Sequence, residues 1–123
     1  MKIESFKDLV VWQKAMDLVG EIYKITSSLP DQEKFGLSSQ AQRASVSVAS
    51  NIAEGSKRSS RADFRQFCIV AMGSAAELET QLMIISQIYP SVSVESGLEK
   101  TSEIQKMLSS LIRKLNTPAL TNN

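Results

Sequence analysis

The sequence predicts an all-α fold, an antiparallel up-and-down four-helix bundle, and three observations carry that prediction. Only three prolines and five glycines punctuate 123 residues, too few for the many tight turns of an all-β chain. Apolar residues recur at spacings of three and four through four segments, which is the period of one helix face. The breaks between the segments are short, and short connections make consecutive helices antiparallel neighbours. The length fits one domain. Its bundle is expected over residues 1–115, with helices at about 6–28, 35–55, 61–89 and 95–115 and a flexible tail at 116–123.

The first helix opens at Ser5-Phe-Lys-Asp8, where the serine oxygen can accept early backbone N–H groups and the carboxylate sits at the positive helix end. It stops before Pro30. Trp12, Met16, Val19 and Tyr23 form one apolar seam, and Val11, Ala15, Leu18, Ile22 and Ile25 form another beside it. Neighbouring positions lie about 100° apart around a helix, so the two seams make a stripe wider than one antiparallel neighbour covers. Both bundle neighbours, or another subunit, must seal it.

The second helix places Leu37, Ala41, Ala44, Val48 and Ile52 on one face. That face is narrow, and the serines around it are weak helix formers, so the segment depends on packing and permits close backbone approach. Gly55 is expected at the C′ position. The third helix starts at Ser60-Arg-Ala-Asp63, a second capping pattern. Phe64, Phe67, Ala71, Ala75, Leu78, Leu82, Ile85 and Tyr89 then hold helical spacing to Pro90. At 1.5 Å per residue this helix is roughly 43 Å long, and the small cluster at residues 71–76 should mark a close crossing. In the fourth, Ser96-Gly-Leu-Glu99 resembles a capping box, and Ile104, Met107 or Leu108, Leu111 and Leu115 give the apolar face.

Composition excludes much chemistry. With 42% hydrophobic and 22% charged residues the chain can build a core. It has no histidine, which removes Ser-His and Cys-His catalysis and the usual zinc and di-iron helix motifs. The single Cys68 has no disulfide partner and reads as a packed small hydrophobe in a reducing compartment. No phosphate-cradling glycine motif or nucleophile elbow occurs. A hydrolase using Glu54, Glu77 or Glu79 lacks a nucleophile and an oxyanion donor. No cofactor and no metal are expected. The N-terminus carries charges within its first eight residues, and no window of about 18 uninterrupted apolar residues occurs. The expectation is a cytoplasmic chain without membrane contact.

The net charge of +1 is uninformative, but its distribution is not. Residues 1–42 sum to −1, 43–65 to +3, 66–99 to −4 with no Lys or Arg, and 100–123 to +3. Lys57, Arg58, Arg61 and Arg65 surround the start of the third helix, where exposed N–H groups and the dipole also attract a phosphate. They are the candidate nucleic-acid contacts, and the plainer alternative is a solvated loop with ordinary surface charge. Repetition around an oligomer would turn a modest cluster into a polyvalent one. Along the second helix, Arg43, Ser47, Asn51 or Ser50, and Glu54 share a side, and Glu77, Glu79, Thr80 and Gln81 offer polar partners on the third. This seam reads as structural, an Arg43–glutamate pair fixing register, and breaking such a buried pair costs about 3–5 kcal/mol.

Four separated words carry a resemblance: Phe6-Lys-Asp-Leu-Val-Val-Trp-Gln13, Phe35-Gly-Leu-Ser-Ser-Gln40, Arg43-Ala-Ser-Val-Ser-Val-Ala-Ser-Asn-Ile-Ala-Glu-Gly55 and Gly73-Ser-Ala-Ala-Glu-Leu-Glu-Thr-Gln-Leu82. Together they resemble the bacterial four-helix-bundle proteins named for open reading frames in intervening sequences of 23S ribosomal RNA genes. The resemblance implies a ring-shaped homopentamer and kinship with the accessory protein of diversity-generating retroelements, which works with a reverse transcriptase and RNA. It brings no catalytic residue. Trp12, Arg43, Asn51, Glu54, Gly55, Gly73, Glu77 and Glu79 match motif positions and carry over as fold and assembly residues.

The functional expectation is a non-enzymatic homo-oligomer that binds RNA or DNA through a repeated basic surface. The alternative is an interaction scaffold or accessory subunit, for instance of a nucleic-acid enzyme, with no nucleic-acid contact of its own.

Overall fold

The structure is a computed structural model that describes residues 5–116. A short 3-10 turn at Phe6–Asp8 leads into α1 (Val10–Thr26), a second at Asp31–Glu33 into α2 (Leu37–Ser56), and α3 (Arg61–Ile88) and α4 (Glu95–Asn116) follow. Each helix packs on the next and α1 closes against α4, so the four form an all-helical bundle. Asn116 ends α4, and the rest of the expected flexible tail lies outside the described residues.

The first helix starts later than the capping pattern predicts. Ser5 Oγ accepts from the Lys7 N–H at 3.2 Å and caps the 3-10 turn instead. Leu9 is extended and half-buried against the core, which is what interrupts the helix, and Gln13 Nε2 bonds back to the Lys7 carbonyl at 2.8 Å.

On α1 only one of the two seams is core. Val11, Ala15, Leu18, Ile22 and Ile25 are buried, whereas Trp12 and Val19 are only partly covered and Met16 and Tyr23 remain 47% and 49% exposed. Trp12 meets Phe6 edge-on, and Tyr23 stands beside Ser39, Gln42, Arg43 and Val46 of α2 without being covered by them.

α2 and α3 make the most intimate pair. Ala41, Ala44, Val48, Ala49 and Ile52 are buried toward Ala71, Ala75 and Leu78, and small side chains allow the backbones to approach. Gly55 is helical, not a left-handed C′ residue, since no glycine has positive φ. Its role is steric: a Cβ there would lie 2.6 Å from Phe67 Cβ and 3.0 Å from Phe64 Cδ1. Gly73, by contrast, faces outward with nothing within 4 Å of an added Cβ. The close crossing therefore rests on Ala71 and Ala75.

α3 stands about 42 Å tall at 1.5 Å per residue, and Ser60 Oγ caps it by accepting from the Asp63 N–H at 3.0 Å. Among the described helices it alone has the length and apolar composition to cross a membrane, with a mean hydropathy of 1.4 over its best 18-residue window. Here its inner face is core, lined by Phe64, Cys68, Ala71, Ala75, Leu78, Leu82 and Ile85. In α4, Ser96 does not cap. It lies inside the first turn and its hydroxyl donates to Glu21 of α1, while Ile104, Leu108 and Leu115 fill the core and Met107 and Leu111 pack at its margin.

A clamp fixes the end of the bundle that carries the α1–α2 loop. Tyr89 Oη donates to Glu33 Oε2 at 2.5 Å, and Glu33 Oε1 accepts the Leu37 N–H at 3.2 Å. The Tyr89 bond, then the Leu37 bond, hold the Glu33 carboxyl below its usual range, and the bond to Glu33 pushes the Tyr89 phenol up. A depressed carboxyl contributes stability above its ordinary value and loses it as pH falls, and a raised phenol contributes below its own and loses it as pH rises. The clamp should thus hold between about pH 4.5 and pH 10, the ordinary values of the two groups. Tyr89→Phe should flatten both limbs of the Tm against pH curve, and unchanged limbs would assign the clamp no role.

Candidate nucleic-acid interface

The antiparallel topology gathers the start of α1, the end of α2, the start of α3 and the end of α4 at one end of the bundle. Lys57, Arg58, Arg61 and Arg65 stand there, and the fold adds Lys7, Arg113 and Lys114, which the sequence reading did not include. Against them stand Asp8, Glu54 and Asp63. The signal that could have found the added three was a lysine beside the first helical turn and a basic pair in the last turn of α4, read through the antiparallel order.

The four predicted cations are not equivalent. Arg61 donates to the Lys114 carbonyl at 2.5 Å and Arg65 Nε to the Ile112 carbonyl at 3.3 Å. The Lys114 carbonyl is among the last four of α4, which lack a partner within the helix, and Ile112 lies just before them, so the two arginines face the negative end of that helix from outside. Arg58 pairs with Glu54 at 2.8 Å one turn away on an exposed surface, an arrangement worth about 0–1 kcal/mol, and lies 4.8 Å from the centroid of the Phe67 ring. Lys57 Nζ is 5.6 Å from the centroid of the Phe6 ring, and Phe6 meets Trp12 edge-on at 5.1 Å. Lys57, Arg58 and Lys114 are all exposed, free to exchange their present neighbours for phosphate oxygens.

The polar seam between α2 and α3 forms only in part. Ser47 Oγ and Ser74 Oγ bond across the helices at 2.8 Å, while Asn51 Nδ2 bonds within α2 to the Ser47 carbonyl and hydroxyl at 2.8 and 3.1 Å. Glu79 faces α4 and accepts from Gln105 at 3.0 Å. The expected Arg43–glutamate pair is absent. Arg43 and Glu77 instead line a cleft of about 470 Å³ with Gln40, Ala44, Ser47 and Gln81, and neither charge makes an ion pair with a described residue. Arg43 is exposed on the rim, where the water it would have to give up outweighs a pairing with Glu77.

Cys68 is fully buried, and burial pushes its thiol up to about 12, which leaves it unreactive at neutral pH. Among the described residues no three Asp, Glu or Cys side chains converge as metal ligands would.

No curated protein matches this chain. Among solved structures, a Bacteroides thetaiotaomicron protein of unknown function from the S23 ribosomal protein family superposes with a TM-score of 0.75 at 30% identity, covering 85% of this chain and 99% of its own. The family model for the 23S rRNA-intervening sequence protein matches residues 7–110, a span that holds all four of the sequence words quoted above save their first residue. This four-helix chain belongs to the 23S rRNA-intervening sequence protein family.

Proposed function

We propose that the protein acts without catalysis, as a cytoplasmic homo-oligomer that holds RNA or another nucleic acid on repeated copies of its basic end. The observation that carries this reading is the convergence of Lys7, Lys57, Arg58, Arg61, Arg65, Arg113 and Lys114 at one end of the bundle, with Asp8, Glu54 and Asp63 opposing them among the described residues. Few aromatic rings stand free beside these cations, so phosphate contacts dominate and base stacking contributes little. Binding of a labelled single-stranded RNA should then weaken linearly in log Kd against log salt, by about 0.7 per phosphate contact. A salt-independent curve would end the proposal.

Assembly is supported by apolar surface that the single chain leaves uncovered. Met16 and Tyr23 of α1 and Val46 of α2 are exposed, with Tyr23 and Val46 lining one surface groove, and Ile69, Val70, Met83, Ile84 and Ile88 line the outer side of α3 around Gly73. Two different uncovered faces suit a heterologous contact that closes a ring, and a pentamer is the ring the family resemblance implies. Gly73→Ala distinguishes the cases. In an isolated bundle alanine should raise helix stability by up to about 1 kcal/mol, whereas at a packed subunit contact it should lower the oligomer mass seen by light scattering. A more stable protein of unchanged mass would remove Gly73 from the assembly face. The same α3 surface favours the second reading, a scaffold or accessory subunit that meets a partner protein and no nucleic acid. The salt titration separates the two.

A further inference from the structure

Two features at opposite ends of the bundle match each other. Phe35, in the turn before α2, is 89% exposed, although a phenyl ring buries about 150–250 Å² when covered and such burial dominates interface energetics. Its turn is fixed, because Glu33 accepts from the Tyr89 hydroxyl at 2.5 Å and from the Leu37 N–H at 3.2 Å, so the ring stands out as a knob. At the other end, Leu9 and Val10 before and at the start of α1 and Met107 and Leu111 of α4 line an apolar groove of about 320 Å³. An apolar cavity of about 150 Å³ already holds benzene, so the groove has room for a phenyl ring. The Lys14–Glu103 ion pair at 3.0 Å joins the same two helices one turn further in and stops the groove there.

We infer that Phe35 of one copy seats in the α1–α4 groove of a second copy, joining the two ends of the bundle head to tail. Charge selects a second copy as the occupant. Residues 21–34 and 95–100, which make the Phe35 end, hold five acidic and three basic groups, and Asp31 and Glu33 outnumber Lys34 beside the ring. The groove end carries the basic surface described above, with Lys114 in the groove wall and Lys7 two residues before Leu9. Acid thus meets base around an apolar knob and hole, a complementarity that steers encounter and fixes register. Knob and hole are different surfaces, so each joined pair keeps one unused knob and one unused hole, and the contact can repeat. It uses neither the lateral faces of α1–α2 and α3 nor a nucleic acid, and so depends on neither of those readings.

The test is sedimentation velocity of the full-length protein at rising concentration and low salt. The wild type is expected to associate beyond its base unit, and to do so less as salt rises. Phe35→Ser and Val10→Glu should each weaken this step at least tenfold while keeping the base unit and the helical circular dichroism. Both positions are exposed, and a carboxylate suits the first turn of a helix. Mixing the two variants restores one contact, because Phe35 of the Val10→Glu protein enters the intact groove of the Phe35→Ser protein, so base units pair and grow no further. A wild type with no concentration-dependent step, a step that either variant retains, or a mixture that fails to pair would each overturn the inference. Capture of a different protein through Phe35, without self-association, would do the same. A base unit of one chain would end the ring reading and leave this contact standing.

Discussion

Gly55→Ala is expected to lower the stability of the isolated bundle by up to about 2 kcal/mol, the remainder of two opposing effects. An alanine in a helix ordinarily gains up to about 1 kcal/mol over glycine. Here the new methyl would stand 2.6 Å from Phe67 Cβ and 3.0 Å from Phe64 Cδ1. Phe67 Cβ is tied to the backbone of α3 and cannot rotate away, so the α2–α3 corner must open, and overpacking of this kind costs about 1–3 kcal/mol. Each kcal/mol lowers Tm by roughly 3–6 °C in a chain of this size. The opening also carries Arg58 off the Phe67 ring, which couples the fold to the basic end. Gly97→Ala is the control. Its nearest obstacles are Ile25 Cδ1 at 2.8 Å and Leu82 Cδ1 at 3.2 Å, the far ends of flexible side chains, so it should cost clearly less. Thermal unfolding followed by circular dichroism compares the two, and a Gly55→Ala protein as stable as the Gly97→Ala protein would show that the corner yields freely.

The elements were legible because they depend on local pattern. Ser60 caps α3 through the Asp63 N–H, and Pro90 follows the end of the helix at Ile88. What escaped depends on the partner across the gap. Ser5-x-x-Asp8 and Ser96-x-x-Glu99 have the same form as Ser60-x-x-Asp63, yet Ser5 caps a 3-10 turn and Ser96 turns to Glu21. Nothing within four residues distinguishes the three. Gly55 has the sequence position of a C′ glycine, but Phe67 lies twelve residues on, and only the folded corner reveals the clash. The double seam on α1 shows the converse: periodicity locates both rows, while burial separates them, because the α2 residues beside Tyr23 are mostly polar, among them Ser39, Gln42, Arg43 and Ser47. For the candidate sites, the basic words named the right helix ends but could not show that Arg61 and Arg65 serve the carbonyls of α4. The Arg43 and Glu77 words were legible as a pair of charges and misleading as a bond, since a periodicity gives the side of a helix and not the distance across it.

That difference among the cations decides the second large effect. Replacing Lys57, Arg58 and Lys114 together with glutamine is expected to reduce the slope of log Kd against log salt by about 2 on single-stranded RNA, three contacts at about 0.7 each. The fold should survive. These three side chains are exposed, and the Glu54–Arg58 pair that is lost is a surface pair worth about 0–1 kcal/mol. Arg61→Gln with Arg65→Gln is a different experiment, because it also strips α4 of the charges that face its last carbonyls. Opposite charge at a helix end contributes about 0.3–1 kcal/mol for each group, so that pair should lower both Tm and RNA retention. The triple variant should lower retention with a smaller loss of Tm, since of its three charges only Lys114 lies in the last turn of α4. If phosphates bind the basic end, the two sets reduce the salt slope in proportion to the charges removed, whatever they do to stability. If the cluster serves only to close α4, the triple variant leaves any RNA binding intact, and a salt slope unchanged by its three lost charges would refute the basic end as the interface.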